Sequence, residues 1–285
     1  MCRLFAMSGG PSPVSATFWL LDASDSLLHQ SRANSDGTGL GWFDEHGYPY
    51  VDKLPIAGHL DAAFAADARR VRARTILAHV RYATSTPLTR ANTHPFLQDG
   101  RLFGHNGIVG DVEKIEAHLG ADASRLRGES DSERYFALIS HEIAKAGGDE
   151  RQGIINAVDW LADEAELYSL NFVMTTSTDV WALRYPAGNT LYLLESDAAG
   201  QSPLGHPFAS DNLRGLGVAS PDTAHQSSVI IASEPLNGDD WQEIASGELI
   251  HVSPDLTVTR EQIIDREPAH LMMLGGHAAA AQGIA

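Results

Sequence analysis

The chain has 285 residues, 43% hydrophobic and 20% charged, with a formal net charge of −17, which suits one large globular domain or two small ones and makes nucleic acid or an anionic membrane surface a poor partner. Its single cysteine excludes an intrachain disulfide framework and a multi-cysteine zinc site, and fits a reducing compartment. No apolar run follows a basic start and none approaches the ~18–20 residues of a membrane span, so a cytoplasmic location without membrane attachment is expected.

In chain order, CRLFAM (Cys2–Met7) reads as a strand broken by Pro11 and Pro13, and two short helices are predicted over Val14–Leu21 and Asp25–Ser31. The glycines of NSDGTGLGWF, residues 34–43, predict a sharp turn feeding a strand over Leu40–Phe43. A second strand is predicted around Tyr48–Lys53, a helix over HLDAAFAADARRVRAR, and a β-rich stretch over Thr75–Thr84. RLFGH (Arg101–His105) is a predicted strand ended by Asn106–Gly107. Helices are expected over Asp111–Leu119, Ser130–Ala146 with a serine or aspartate cap, and Ile154–Glu166. Strands follow at NFVMTTS, VWALRY, TLYLLE, SVIIAS and ELIHVS, and the low-complexity GGHAAAAQGIA predicts a mobile tail. Strands, then helices, then strands point to an α+β layer fold with two mixed sheets and helices outside.

A lone cysteine is ordinarily a small buried hydrophobe. Directly behind Met1 it has another use. Removal of the methionine would leave a thiol and a free α-amine on one residue, and an α-amine titrates near ~7.7–8.0. Nucleophile and base would then share Cys2, held in place by the strand it begins. Arg81, at the end of a predicted strand, could grip a carboxylate with its planar fork, and Thr84 could add a hydroxyl. Asn106 and Gly107 could end a strand in a turn, or supply an amide and an unhindered N–H to an oxyanion. Asp131 could favour a helix dipole or take a substrate ammonium.

DGTGLG is rejected as a dinucleotide loop, because Trp42 stands where the fingerprint needs glycine and no strand precedes it. Close backbone packing at a turn is the expectation instead. HEIAK is not a zinc motif, since Lys145 replaces the second histidine. His79, His94 and His105 could converge, but their spacing is no recognised ligand set. No metal and no cofactor are expected.

Taken together, Cys2, DGTGLGW, HVRYAT, NTHPF, HNG and ESDSE, in this order, resemble the glutaminase domain of class II glutamine amidotransferases. MCRLFA, SLLHQS, LFGHNG and IIASEPL resemble its small stand-alone branch, which includes the ergothioneine-pathway γ-glutamyl hydrolase. The resemblance covers residues 2–255, with little of it in residues 185–227, and leaves 256–285 as a C-terminal extension. It implies an N-terminal-nucleophile hydrolase fold, a four-layer αββα sandwich of two antiparallel sheets. By position it makes Cys2 the nucleophile and Asn106 and Gly107 the oxyanion donors. It makes Arg81 the grip on the α-carboxylate and Asp131 the acid that holds the α-amino group. The small-molecule γ-glutamyl partner leaves three readings open: a free-standing amide hydrolase, a glutaminase supplying ammonia to a separate synthase chain, or a silent glutamine-binding module.

Overall fold

The protein is described by a computed structural model over residues 2–83, 86–196, 209–210, 218–219 and 226–274. The first half gives strands β1 (Arg3–Ser8), β2 (Gly37–Phe43), β3 (Pro49–Leu54), β4 (Thr75–Arg81), β5 (Phe96–Gln98) and β6 (Arg101–Val109). Between them lie a π-helical turn at Phe18–Asp22 and helices α1 (Leu27–Gln30) and α2 (Ala62–Arg70). Helices α3 (Val112–Leu119), α4 (Asp131–Lys145) and α5 (Glu150–Glu164) follow. The second half adds β7 (Glu166–Thr175), β8 (Val180–Arg184), β9 (Tyr192–Ser196), the two-residue pair β10 (Ala209–Ser210) and β11 (Val218–Ala219), and β12 (Ser228–Ala232). It closes with β13 (Gln242–Glu243), β14 (Glu248–Val252), β15 (Val258–Gln262) and β16 (His270–Leu271).

One sheet runs β13-β9-β12-β1-β4-β2-β3 and the other β15-β14-β8-β7-β6-β5. All these neighbours are antiparallel, and only β16, against β7, pairs parallel. Apart from the two-residue β16, the sheets are antiparallel, where the order of elements in the chain suggested mixed ones. Side-chain alternation along each strand builds the layers. Phe5 and Met7 of β1, with Ile76, Ala78 and Val80 of β4, pack under Trp19, Leu27 and Phe64 of the first helical layer. Leu4, Ala6 and Leu77 point the other way and meet Leu102, Val173 and Ala182 of the second sheet. That sheet's outer face, with Phe103, Phe172 and Met174, is covered by α4 and α5. The result is the expected αββα sandwich.

Several local expectations change. α2 stops at Arg70, four residues before the end of the predicted run, because Val71 turns extended and Ala73 bridges Val14. The predicted Val14–Leu21 helix is reduced to the π-helical turn. α5 starts at Glu150 rather than Ile154, since Asp149 caps it by accepting the Gln152 N–H. β15 and β16 were not predicted; they bring residues 258–262 and 270–271 into the second sheet. The alanine-rich tail lies outside the described residues.

The glycine run proved to be a strand, not a turn. Gly37, Gly39 and Gly41 stand opposite Arg81, His79 and Leu77 of β4, on the face between the sheets. A Cβ on Gly39 would fall 2.1 Å from the His94 carbonyl oxygen, and one on Gly41 would lie 3.2 Å from Pro95 Cγ. The missing side chains let the segment around His94 lie flat on the sheet. Gly39→Ala should therefore lower stability by about 1–3 kcal/mol, because the obstructing atom is backbone and cannot rotate away. Gly238→Ala, with nothing within 4 Å of its Cβ, is the control. Equal melting temperatures for the two variants would remove this account of the glycines.

Candidate active site

Strand periodicity brings the predicted residues together. Cys2 immediately precedes β1, and the register pairs Arg3 with Val80 and Leu4 with His79. Even positions of β1 and odd positions of β4 share the inter-sheet face, so Cys2 and Arg81 fall side by side at one end of it. Cys2, Arg81, Gly107 and Asp131 line one small cavity, joined there by Thr86 and His94. Thr84, the other predicted contact, lies outside the described residues.

The Cys2 thiol is buried. Its Sγ donates to the Tyr82 carbonyl at 3.4 Å and accepts the Tyr82 N–H at 3.2 Å. Burial pushes the thiol up from its ordinary value, and the Tyr82 N–H and Arg81 offset only part of that. The resting group is therefore a thiol that needs a base.

Arg81 is 5% exposed. Its guanidinium donates to the Thr86 hydroxyl and, at 3.4 and 3.5 Å, to the Thr86 and Pro87 carbonyls. Among the described residues no carboxylate pairs with it. A buried cation satisfied only by neutral oxygens is a ready receptor for a ligand carboxylate. Burial lowers its pKa, and Cys2, Asp36 and Asp131 act against that through space.

Asn106 sits differently from the predicted strand-ending turn. β6 runs through it to Val109, with Asn106 paired to Asn171 and Gly107 to Leu170. The Asn106 side chain is fully buried, and its Nδ2 donates to the Cys2 carbonyl at 3.1 Å. Its Oδ1 has no hydrogen-bond partner among the described residues. The backbone carbonyl of Asn106 accepts from Ser169 Oγ and Asn189 Nδ2, which fix this stretch of strand. A Cβ at Gly107 would lie 1.9 Å from the Ser169 carbonyl oxygen, so only glycine fits.

Asp131 occupies the first position of α4, behind the Ser130 cap. Its Oδ2 accepts the Val109 N–H at 2.9 Å, which ties the acid to the end of β6. The predicted cap and the predicted acid are thus neighbours with separate jobs.

The three histidines do converge. His79 and His94 lie with ring centroids 4.1 Å apart and planes tilted by 32°, and His79 Nε2 lies 3.3 Å from the His105 carbonyl. His105 Nε2 lies 2.9 Å from the Ser169 carbonyl and Nδ1 2.9 Å from Ser132 Oγ, which selects a neutral ring protonated at Nε2. Burial lowers all three, His79 to about 3. His94, neither of whose ring nitrogens has a partner among the described residues, and the Tyr82 backbone were missed as site components. NTHPF and HVRYAT carried the signal, but not the contacts. Elsewhere, His118, His141 and Glu142 bring ligand atoms within 4.8 Å of one another. There Glu142 Oε1 already meets His118 at 3.0 Å and Lys145 at 2.8 Å, so the group is an ion-pair cluster.

A buried thiol, a cation free to take a carboxylate and an anchored acid on one cavity suit acyl transfer from an amino-acid amide. Comparison with known proteins bears on this. A family profile described as "Glutamine amidotransferases class-II" matches residues 1–271. The chain is 24% identical over 311 residues to a probable glutamine amidotransferase of Saccharomyces cerevisiae, covering 93% of this chain and 85% of that one. It is 36% identical over 121 residues to the gamma-glutamyl-hercynylcysteine sulfoxide hydrolase of Mycolicibacterium smegmatis, covering 38% of this chain and 52% of that protein. Its fold is similar to that of glutamine phosphoribosylpyrophosphate amidotransferase from B. subtilis, with a TM-score of 0.64 at 18% identity over 93% of this chain and 50% of that one. Among the described residues no helix is long and apolar enough to cross a membrane.

Proposed function

This chain belongs to the class II glutamine amidotransferases, with the N-terminal-nucleophile fold, and on that basis we propose that it hydrolyses the γ-glutamyl amide bond of glutamine or a γ-glutamyl-amine metabolite through a Cys2 thioester. The observation that carries the reading is the shared cavity: the only thiol in the chain lines it beside a buried guanidinium that, among the described residues, has no carboxylate partner.

The α-amine of a processed Cys2 takes the thiol proton, directly or through water. The Tyr82 N–H, already on Sγ, favours the thiolate as it forms. Sulfur attacks the γ-carbonyl, and Asn106 Nδ2 and the Gly107 N–H stabilise the oxyanion. The C–N bond breaks, the amine leaves with a proton, and water cleaves the γ-glutamyl thioester to release the acid and restore the thiol. Arg81 and Asp131 hold the α-carboxylate and α-ammonium. The mycobacterial relative, named as a gamma-glutamyl-hercynylcysteine sulfoxide hydrolase, supports this reaction class.

The test is a screen of γ-glutamyl amides with the purified chain alone. Turnover of at least one amide is expected, with the N-acetylated form a poor substrate because Asp131 loses its ammonium. Inactivity on every amide until a synthase partner is added would replace the free-standing hydrolase with the ammonia-supplying subunit. Arg81→Lys should raise KM by about tenfold or more, since an ammonium cannot reproduce the bidentate fork. Unchanged KM across γ-glutamyl substrates would place Arg81 outside the recognition site.

A further inference from the structure

A second, larger cavity of about 720 Å³ lies behind the segment that carries His94. The two cavities share walls. Residues 86–95 present Thr86 and His94 to the Cys2 side, and Arg90, Ala91 and Pro95 to the other. The first turn of α4 likewise presents Asp131 to one and Glu133 to the other.

In a chain of net charge −17, the wall of this cavity carries Lys53, Arg90, Arg125 and Arg127 against Asp99 and Glu133. Both carboxylates are already engaged. Asp99 accepts from Arg101 and Arg125. Glu133 accepts the Arg127 and Gly128 N–H groups at 2.8 and 2.7 Å. Among the described residues no carboxylate pairs with the guanidinium of Arg90 or Arg127. Lys53 Nζ donates to the Thr93 and Pro95 carbonyls, neutral acceptors at 2.6 and 3.0 Å, and burial lowers its pKa to about 8. Gln98 Oε1, also in the wall, is buried with no partner among the described residues, and its carboxamide offers either polarity to a ligand. Phe96 and Phe136 supply an apolar floor, with Lys53 Nζ 4.9 Å from the Phe96 ring centroid.

We propose that this cavity is a binding site for an organic dianion with a planar or aliphatic part, a phosphorylated or dicarboxylate metabolite, held by Arg90, Arg127 and Lys53 over Phe96 and Phe136. The site does not depend on the reaction read for the Cys2 cavity. Because Lys53 also anchors the carbonyls on either side of His94, a bound dianion would touch the segment that closes the Cys2 cavity.

The test is calorimetric titration of the full-length Cys2→Ala protein, which separates binding here from turnover there. Phenyl phosphate represents the phosphorylated class and phenylmalonate the dicarboxylates; inorganic phosphate and phenol are the partial probes. One of the two dianions is expected to bind at least about tenfold more tightly than either partial probe, and more weakly as salt rises. The tighter of the two identifies the class. Arg90→Gln with Arg127→Gln should weaken that binding by about tenfold or more while leaving the ligand-free melting temperature unchanged, since both side chains are exposed. Undetectable binding of both dianions, equal binding of phenol, or unchanged affinity in the double variant would overturn the proposal.

Discussion

Cys2→Ala is expected to reduce γ-glutamyl amide hydrolysis by at least ~10³-fold, because the nucleophile is removed while the strand behind it stays paired. The side chain is small, and among the described residues Sγ hydrogen-bonds only the Tyr82 backbone. The variant should therefore fold and still bind substrate through Arg81 and Asp131. Cys2→Ser should retain little activity, since a hydroxyl ionises far less readily than a thiol. The same mechanism requires the active protein to begin at Cys2. Intact-mass measurement beside a kinetic assay decides both points. Near-normal turnover in Cys2→Ala would remove the nucleophile assignment, and full activity in protein retaining Met1 would remove the α-amine as base.

Asn106→Ala should lower kcat by roughly 10²–10³, the loss typical of one oxyanion donor, equal to about 2.7–4 kcal/mol of transition-state stabilisation. Substrate affinity measured in a Cys2→Ala background should hardly change, because the charge on the carbonyl oxygen develops only after attack. The fold sharpens the competing explanation. Asn106 shapes no turn; it lies within β6 and holds the Cys2 carbonyl. Its removal leaves that carbonyl without this donor, worth about 1 kcal/mol of stability. If Asn106 only anchored Cys2, its loss would displace the thiol and alter the rate at which iodoacetamide alkylates it. A role at the oxyanion predicts an unchanged alkylation rate with a depressed kcat. A lower melting temperature with kcat intact would end the oxyanion assignment.

Features set by neighbours in sequence could be read without coordinates. Short apolar, β-rich stretches marked β1, β4 and much of the second half as strands. Ser130 and the acids after it marked the start of α4. The position of Cys2, followed in order by HVRYAT, HNG and ESDSE, identified the family that the comparisons then supported. Each signal depends on side chains a few positions apart.

What escaped depends on long-range register. Cys2 meets Tyr82 across 80 residues and Asn106 across 104. The glycines of DGTGLG offer no local sign that the segment around His94 will lie on them; only the pairing of β2 with β4 turns three of them toward it. HNG has the composition of a turn, and pairing with β7 makes it strand. β15 and β16 carry weak patterns of their own and form because β14 and β7 offer them edges. The cation-lined cavity gathers Lys53, Arg90 and Arg127 from three distant stretches, none of which is a motif. Short-range chemistry in the sequence determined which elements form and which family the chain belongs to. Tertiary pairing decided which of them face one another, because a backbone hydrogen-bond ladder can recruit residues whose own sequence signals nothing.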